Sequence, residues 1–471
     1  MVRSEAKSYG PVAAMLLGSA LAFGVPAGAV SISADSSGDA FQTTSELEFH
    51  AQKPTSLPAE IQAWINQANE LELKGAYEKA AELWKNILSW CERTLGNDDS
   101  ATAISLNNLA LLYDNLGRYR EAEPLFKRSL GINEKTHGSD HLETAMSLNN
   151  LAALYVSQGR YGEVEPLLKR SLAIRQKSLG ADHHETATSL NNLAVVFGYQ
   201  GRYGEAELLY KRALVIREKT LGPQHSDTAE SIANLGELYR DQGRYVEAES
   251  MHKRALAIKE KALGPEHPST ALSLNNLALL YASQGRNVEA ESLYRRALAM
   301  NEKVLGPEHP DTATSLSNLA SLYDNQGRVV ESEPLYRRAL KIREIALGAE
   351  HPDTANSLNN LAYVYDNQGR YVDAESLYRR ALAIIENSLG AEHPSTAAII
   401  DNLALLHLNQ KDYGSARELL IRVSRTQASW LVRELPLQPR ELRAGLLAEQ
   451  SDAPATIFAL LDQDPGAREL A

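Results

Sequence analysis

The chain has a single cysteine, Cys91, in 471 residues. One thiol excludes an internal disulfide and cannot by itself anchor a cysteine-based metal site. Basic residues are also short: 48 Lys and Arg stand against 60 Asp and Glu, a formal net charge of −12. That balance argues against a sequence-independent hold on nucleic acid, which needs Lys and Arg to displace counterions. Doublets such as Lys127-Arg128, Lys169-Arg170 and Lys211-Arg212 are interleaved with Glu at helical spacing, so they read as solvated, ion-paired faces. After Val25 no run is apolar enough to span a bilayer. No Gly-rich phosphate loop, GxSxG elbow or HExxH occurs, and acidic and His residues are spread rather than convergent. The sequence therefore gives little support to an enzyme and implies no cofactor.

What the chain has instead is a period. The segment Leu106 to Leu130 (LNNLALLYDNLGRYREAEPLFKRSL) returns every 42 residues, and its second Asn recurs at Asn66, Asn108, Asn150, Asn192, Asn234, Asn276, Asn318, Asn360 and Asn402. A fixed period of this size marks a repeat array, which offers extended binding surface rather than one catalytic pocket.

Within one unit, Leu106, Leu109, Ala110 and Tyr113 form the apolar stripe of a first helix. Gly117 ends it by permitting a positive φ. Ala122, Leu125, Phe126, Ser129 and Leu130 form the stripe of a second helix, expected over about 119–135. Ala110, Ala122 and Ser129 are small where the helices approach. Downstream connections read LGPEHPDTA, as in Leu305 to Ala313; Pro307 and Pro310 disfavour helix before them, and Asp311 or Thr312 can cap the next one. Pairs are expected near residues 60, 102, 144, 186, 228, 270, 312, 354 and 396. The ends depart from the pattern, with Gln67 and Lys74-Gly75 at the front and His407 and Lys411-Asp412 at the back.

Before the array, Arg3 and Lys7 precede an apolar run from Val12 to Val25, and Ala27-x-Ala29 offers a small-residue cleavage pattern. This predicts a signal peptide over 1–29, cleaved after Ala29, and a periplasmic or secreted protein. A flexible polar leader follows over 30–58, the array over 59–425, and a helical C-terminal cap over 426–471.

The small residues at Ala110, Ala122 and Ser129 and the aromatics at Tyr113 and Phe126 resemble tetratricopeptide repeats. The 42-residue length, the LNNLA start and the LGPEHPDTA loop more narrowly resemble those of kinesin light chain and its bacterial relatives. The resemblance implies an all-α, right-handed superhelical solenoid of about nine helix pairs. It also implies a concave groove, lined by the first helices, that binds protein or peptide segments. In that family the second Asn of each LNNLA reaches the backbone of an extended ligand, here Asn108, Asn150, Asn192, Asn234, Asn276, Asn318 and Asn360. A further likeness, Arg440 to Ala471, is to the region before CHAT peptidase domains, which implies the regulatory half of a split or truncated caspase-like system as an alternative function.

Other readings follow from the residues themselves. The Asn row serves either a ligand or the neighbouring repeat. Tyr199, Glu237, Arg240 and Asp241 form a distinctive central patch, and Asp324 and Asp366 an acidic stretch suited to a basic ligand. The His row (His141, His183, His225, His267, His309, His351, His393) recurs too far apart to converge on zinc and is read as loop packing or capping. The main expectation is an exported protein–protein interaction scaffold with no metal and no nucleic acid, whose end repeats leave self-association open.

Overall fold

The computed structural model describes residues 57–434. The expected signal peptide, most of the polar leader, and everything after residue 434, including the peptidase-like likeness, lie outside them. The described residues form 18 helices in successive pairs. In order they are α1 (Ala59–Leu73), α2 (Tyr77–Thr94), α3 (Ser100–Asn115), α4 (Tyr119–Thr136), α5 (Leu142–Ser157), α6 (Tyr161–Leu179), α7 (His184–Tyr199), α8 (Tyr203–Thr220) and α9 (Ser226–Asp241). They continue as α10 (Tyr245–Ala262), α11 (Pro268–Ser283), α12 (Asn287–Val304), α13 (Pro310–Asn325), α14 (Val329–Ala346), α15 (Pro352–Asn367), α16 (Tyr371–Ser388), α17 (Pro394–Asn409) and α18 (Tyr413–Glu434). One body holds α1 to α14 and the start of α15, up to Ser357; the other runs from Leu358 through α18.

The first helices from α5 to α17 each begin at a histidine. His309 is extended (φ −77°, ψ 143°), and its Nδ1 accepts the Asp311 backbone N–H at 3.1 Å. His141, His183, His225, His267, His351 and His393 do the same. Asp99 takes this place before α3. The cap is therefore His309 rather than Asp311, and the His row is spent on satisfying N–H groups that a helix start leaves without partners. Thr312 is used differently: its hydroxyl donates to Gly306 O at 2.8 Å and ties the loop. At the turn between paired helices, Gly117 has φ 65°, and Arg118 N–H reaches back to Tyr113 O at 2.8 Å. Lys411 holds the same left-handed conformation (φ 63°) without being glycine.

The apolar stripes meet as the period demands. Leu106, Ala110 and Ala122 are fully buried, and Phe126 is 1% exposed. Side chains the size of Leu106 and Phe126 contribute about 1.5–3 kcal/mol each when buried, and the alanines less. Leu88 of α2 and Leu125 of α4 close over Ala103, Leu106 and Ile132, so one core draws on two repeats. Ser129 adds a hydrogen bond from its hydroxyl to Ala103 O at 2.8 Å.

Charged residues also join neighbours. Tyr281 on α11 donates its hydroxyl to Glu249 Oε1 of α10 at 3.1 Å, and Arg286 Nη1 donates to Glu249 Oε2 at 2.7 Å. The Arg286 guanidinium lies 3.8 Å from the centre of the Tyr281 ring. Glu123 with Tyr155 and Arg160, Glu207 with Tyr239 and Arg244, and Glu291 with Tyr323 and Arg328 repeat this clasp. Lys127, Lys211 and Lys253 pair with three of these carboxylates, as Lys127 does with Glu123 at 2.7 Å.

The Lys253 hydrogen bond lowers the Glu249 carboxyl; burial opposes it, and Arg286 and Tyr281 add to the lowering, bringing it to about 2 from its ordinary 4.5. A carboxylate held low in the folded state stabilises it fully above the unfolded value and loses that contribution as pH falls through the folded one. Stability should thus decline as pH drops from 4.5 towards about 2, and Glu249→Gln should make that decline shallower. Urea unfolding at a series of pH values measures it; an unchanged slope in the variant would remove Glu249 from the clasp.

Candidate functional site

The fifth pair, α9 and α10, breaks the repeat in a coordinated way. Gly236 stands where Ala110 and Ala278 stand in other repeats, Glu237 where Leu111 and Leu279 stand, Arg240 where Ala282 stands, and His252 where Phe126 and Tyr294 stand. A Cβ at position 236 would lie 3.1 Å from the His252 ring, so the glycine makes room for the imidazole. Glu237 and His252 are 2% and 1% exposed. Glu237 Oε1 is 3.4 Å from His252 Nε2, and its Oε2 is 2.5 Å from Arg240 Nη1. Arg240 Nη2 also donates to Asp241 Oδ1 at 2.8 Å, at the exposed edge of the cluster. Although close, Glu237, Arg240 Nη1 and His252 Nε2 do not meet hydrogen-bond geometry with one another.

Burial raises the Glu237 carboxyl to about 7; Arg240 pulls it down, and Asp241 pushes it up. Burial, then the Arg240 charge, takes His252 down to about 3, so the imidazole is neutral at pH 7. Beside the cluster, Tyr199 stacks on Tyr161 with ring centres 5.3 Å apart. Burial holds the Tyr199 hydroxyl above its usual range, helped by Tyr161, Asp241 and Glu237. The four residues of the central patch read from the sequence are thus brought together. His252, Gly236 and Tyr161 were not singled out there, although the departure of His252 from its aromatic row was a usable signal.

The Asn row is divided. Asn150 and Asn192 are buried, and their Nδ2 groups donate to Asn107 and Asn149 of the preceding repeats at 2.9 and 2.6 Å. Asn276 is buried too, whereas Asn108, Asn234, Asn318 and Asn360 are half-buried. The row therefore serves the stack in part, leaving four members with access to solvent. Burial raises the carboxyl of half-buried Asp324. Asp366, in the second body, is 9% exposed and accepts from Asn409 Nδ2 at 3.2 Å. Among the described residues, ligand atoms of His183, His184 and Glu185 lie within 4.8 Å of one another. His183 Nδ1 is engaged as the cap, Glu185 lies 3.7 Å from Arg175, and a helix N-terminus repels a cation, so the trio is poorly arranged for a metal.

A tetratricopeptide repeat model matches residues 60–135, 114–177, 143–219, 209–261, 227–303, 269–344, 325–387 and 353–427. The chain belongs to the tetratricopeptide repeat (TPR) family. Among solved structures, a Podosopora anserina kinesin light chain with nearly identical TPR-like repeats is 31% identical; the match covers 42% of this chain and 94% of that one, with a TM-score of 0.36. BtubC (BKLC) from P. vanneervenii is 26% identical over 49% of this chain and 93% of its own, with a TM-score of 0.42. A Rap protein complexed with Competence and Sporulation Factor shares the fold at 14% identity and a TM-score of 0.51, covering 80% of this chain and 100% of that one. No curated protein matches.

Within this TPR array, a buried ion pair costs more to break than to replace by packed apolar residues. Arg240→Ala should destabilise the array above pH 7, where Glu237 would otherwise stay charged without its counter-charge, and less below it, where the carboxyl takes up a proton. Adding Glu237→Leu should restore most of that loss. Denaturant midpoints and slopes measure both variants, and a double variant no more stable than Arg240→Ala would contradict the pairing.

Proposed function

We propose that this TPR protein is an exported interaction scaffold, periplasmic or secreted, that binds a basic segment of a protein or peptide around repeat five. The reading rests on the buried Glu237–Arg240–His252 cluster opening onto Asp241, in a repeat that departs from its neighbours at four linked positions. A stacked repeat has no packing need for a buried carboxylate, and such groups concentrate at functional sites. TPR proteins bind protein or peptide partners, and the half-buried Asn234 and Asn318 supply amides able to donate to and accept from an extended backbone.

Charge supports the choice of a basic ligand. Arg240 is already matched by Asp241, so the ionised fraction of Glu237 leaves the patch an excess of negative charge, extended by Asp324 two repeats on. Export is supported by the sequence of residues 1–29. Among the described residues no helix is long and apolar enough to cross a membrane.

Fluorescence anisotropy against labelled peptide sets of basic, neutral and acidic composition tests the reading. Basic peptides should bind most tightly, and Asp241→Asn with Asp324→Asn should weaken them about tenfold, equivalent to about 1.4 kcal/mol. Binding that ignores peptide charge, or that survives both substitutions undiminished, would refute it.

A further inference from the structure

Within the first body, two turns near the front of the array touch two helix starts far along it. His351 Nε2 lies 3.1 Å from Asn115 O across 236 residues of sequence, a separation of between five and six repeats. Because His351 Nδ1 accepts the Asp353 N–H at 2.9 Å, the proton sits on Nε2, which donates to Asn115. One repeat earlier the same arrangement recurs between Gly75 and His309. A Cβ on Gly75 would lie 2.8 Å from Pro310 Cδ and 3.3 Å from the His309 ring; on Gly117 it would sit closer still to Pro352 Cδ. The equivalent Gly243, Gly285 and Gly327 have nothing within 4 Å. His309 and His351 are each 7% exposed, while His141, His225 and His267 are exposed at the same cap.

The contact includes glycine against proline twice, one hydrogen bond, buried Tyr119 close enough to Asp353 to feel its charge, and Tyr77 likewise near Asp311 and Asp353. Elsewhere each repeat touches its neighbours, so a slight rotation at every interface between the two turns adds up over the intervening repeats. That sum separates the turns without unfolding any helix. We propose that these paired contacts, Gly75 on Pro310 and Gly117 with Asn115 on His351–Pro352, form a reversible latch. Engaged, it holds the array in a closed turn; released, it lets the repeats extend. The glycines are required twice over, for their positive φ and for the proline that lies against them.

Hydrogen exchange and small-angle scattering on the full chain test the latch. Gly117→Ala should raise exchange at residues 115–120 and 351–356 about tenfold and increase the radius of gyration, with helical circular dichroism retained. Gly243→Ala carries the same backbone strain (φ 72°) and has no facing proline, so it should leave both readouts at wild-type values. His351→Asp keeps a cap, as Asp99 shows, and removes the donor to Asn115; it should open the array as Gly117→Ala does, and it decides the matter if Gly117→Ala does not fold. Identical behaviour of Gly117→Ala and Gly243→Ala would overturn the latch. So would a closed His351→Asp protein, or wild-type amides at 351–356 that exchange as fast as those at 243–247.

Discussion

A pair of helices with apolar side chains on two faces cannot bury both against itself. Leu106 and Ile132 are covered in part by Leu88 of the preceding repeat, which closes over them together with Leu125. Everything else in the molecule accommodates that need to stack. The histidine caps and threonine ties fix where each pair begins, so that consecutive stripes arrive in register. The Glu–Tyr–Arg clasps pin the edges of the same interfaces with charge-assisted bonds. Even the Asn row spends amides on the neighbouring repeat at Asn150 and Asn192.

A stack satisfied this way has interchangeable units, which makes the exception informative. Repeat five gives up an aliphatic position to Glu237 and an aromatic one to His252, and trims Ala to Gly at position 236 to fit the ring. Desolvating the carboxylate costs stability, and Arg240 returns only part of it. The neighbouring repeats show that the fold has an apolar solution here. On the proposed reading the costly set serves the surface, where Asp241 is exposed and Tyr199 half-buried.

Much of this was legible in the residues. The 42-residue period, the stripe from Leu106 to Tyr113 and the glycine turn at Gly117 fixed the helix pairs, because helical periodicity and positive φ leave few alternatives. Sequence spacing showed that the His row could not gather a metal, and the capping it suggested is present at His309. The cap's position was less legible: Asp311 is the commoner capping residue, and only the observed backbone gives the task to His309. Rows separated by 32 and 37 residues, such as Glu249 with Tyr281 and Arg286, were also missed, since their meeting depends on how one repeat rotates onto the next. The same rotation decides which asparagines are buried, so one row of identical residues splits into Asn192 inside and Asn234 half-outside.

The central claim is that stacking is generic and recognition is local to repeat five. Replacing residues 228–269 by a copy of residues 270–311 tests it most directly, with thermal unfolding and binding of the tightest basic peptide measured on one preparation. The account predicts a folded array at least as stable as the parent that no longer holds the peptide. A chimaera that binds with undiminished affinity, or one destabilised by losing the polar cluster, would contradict it.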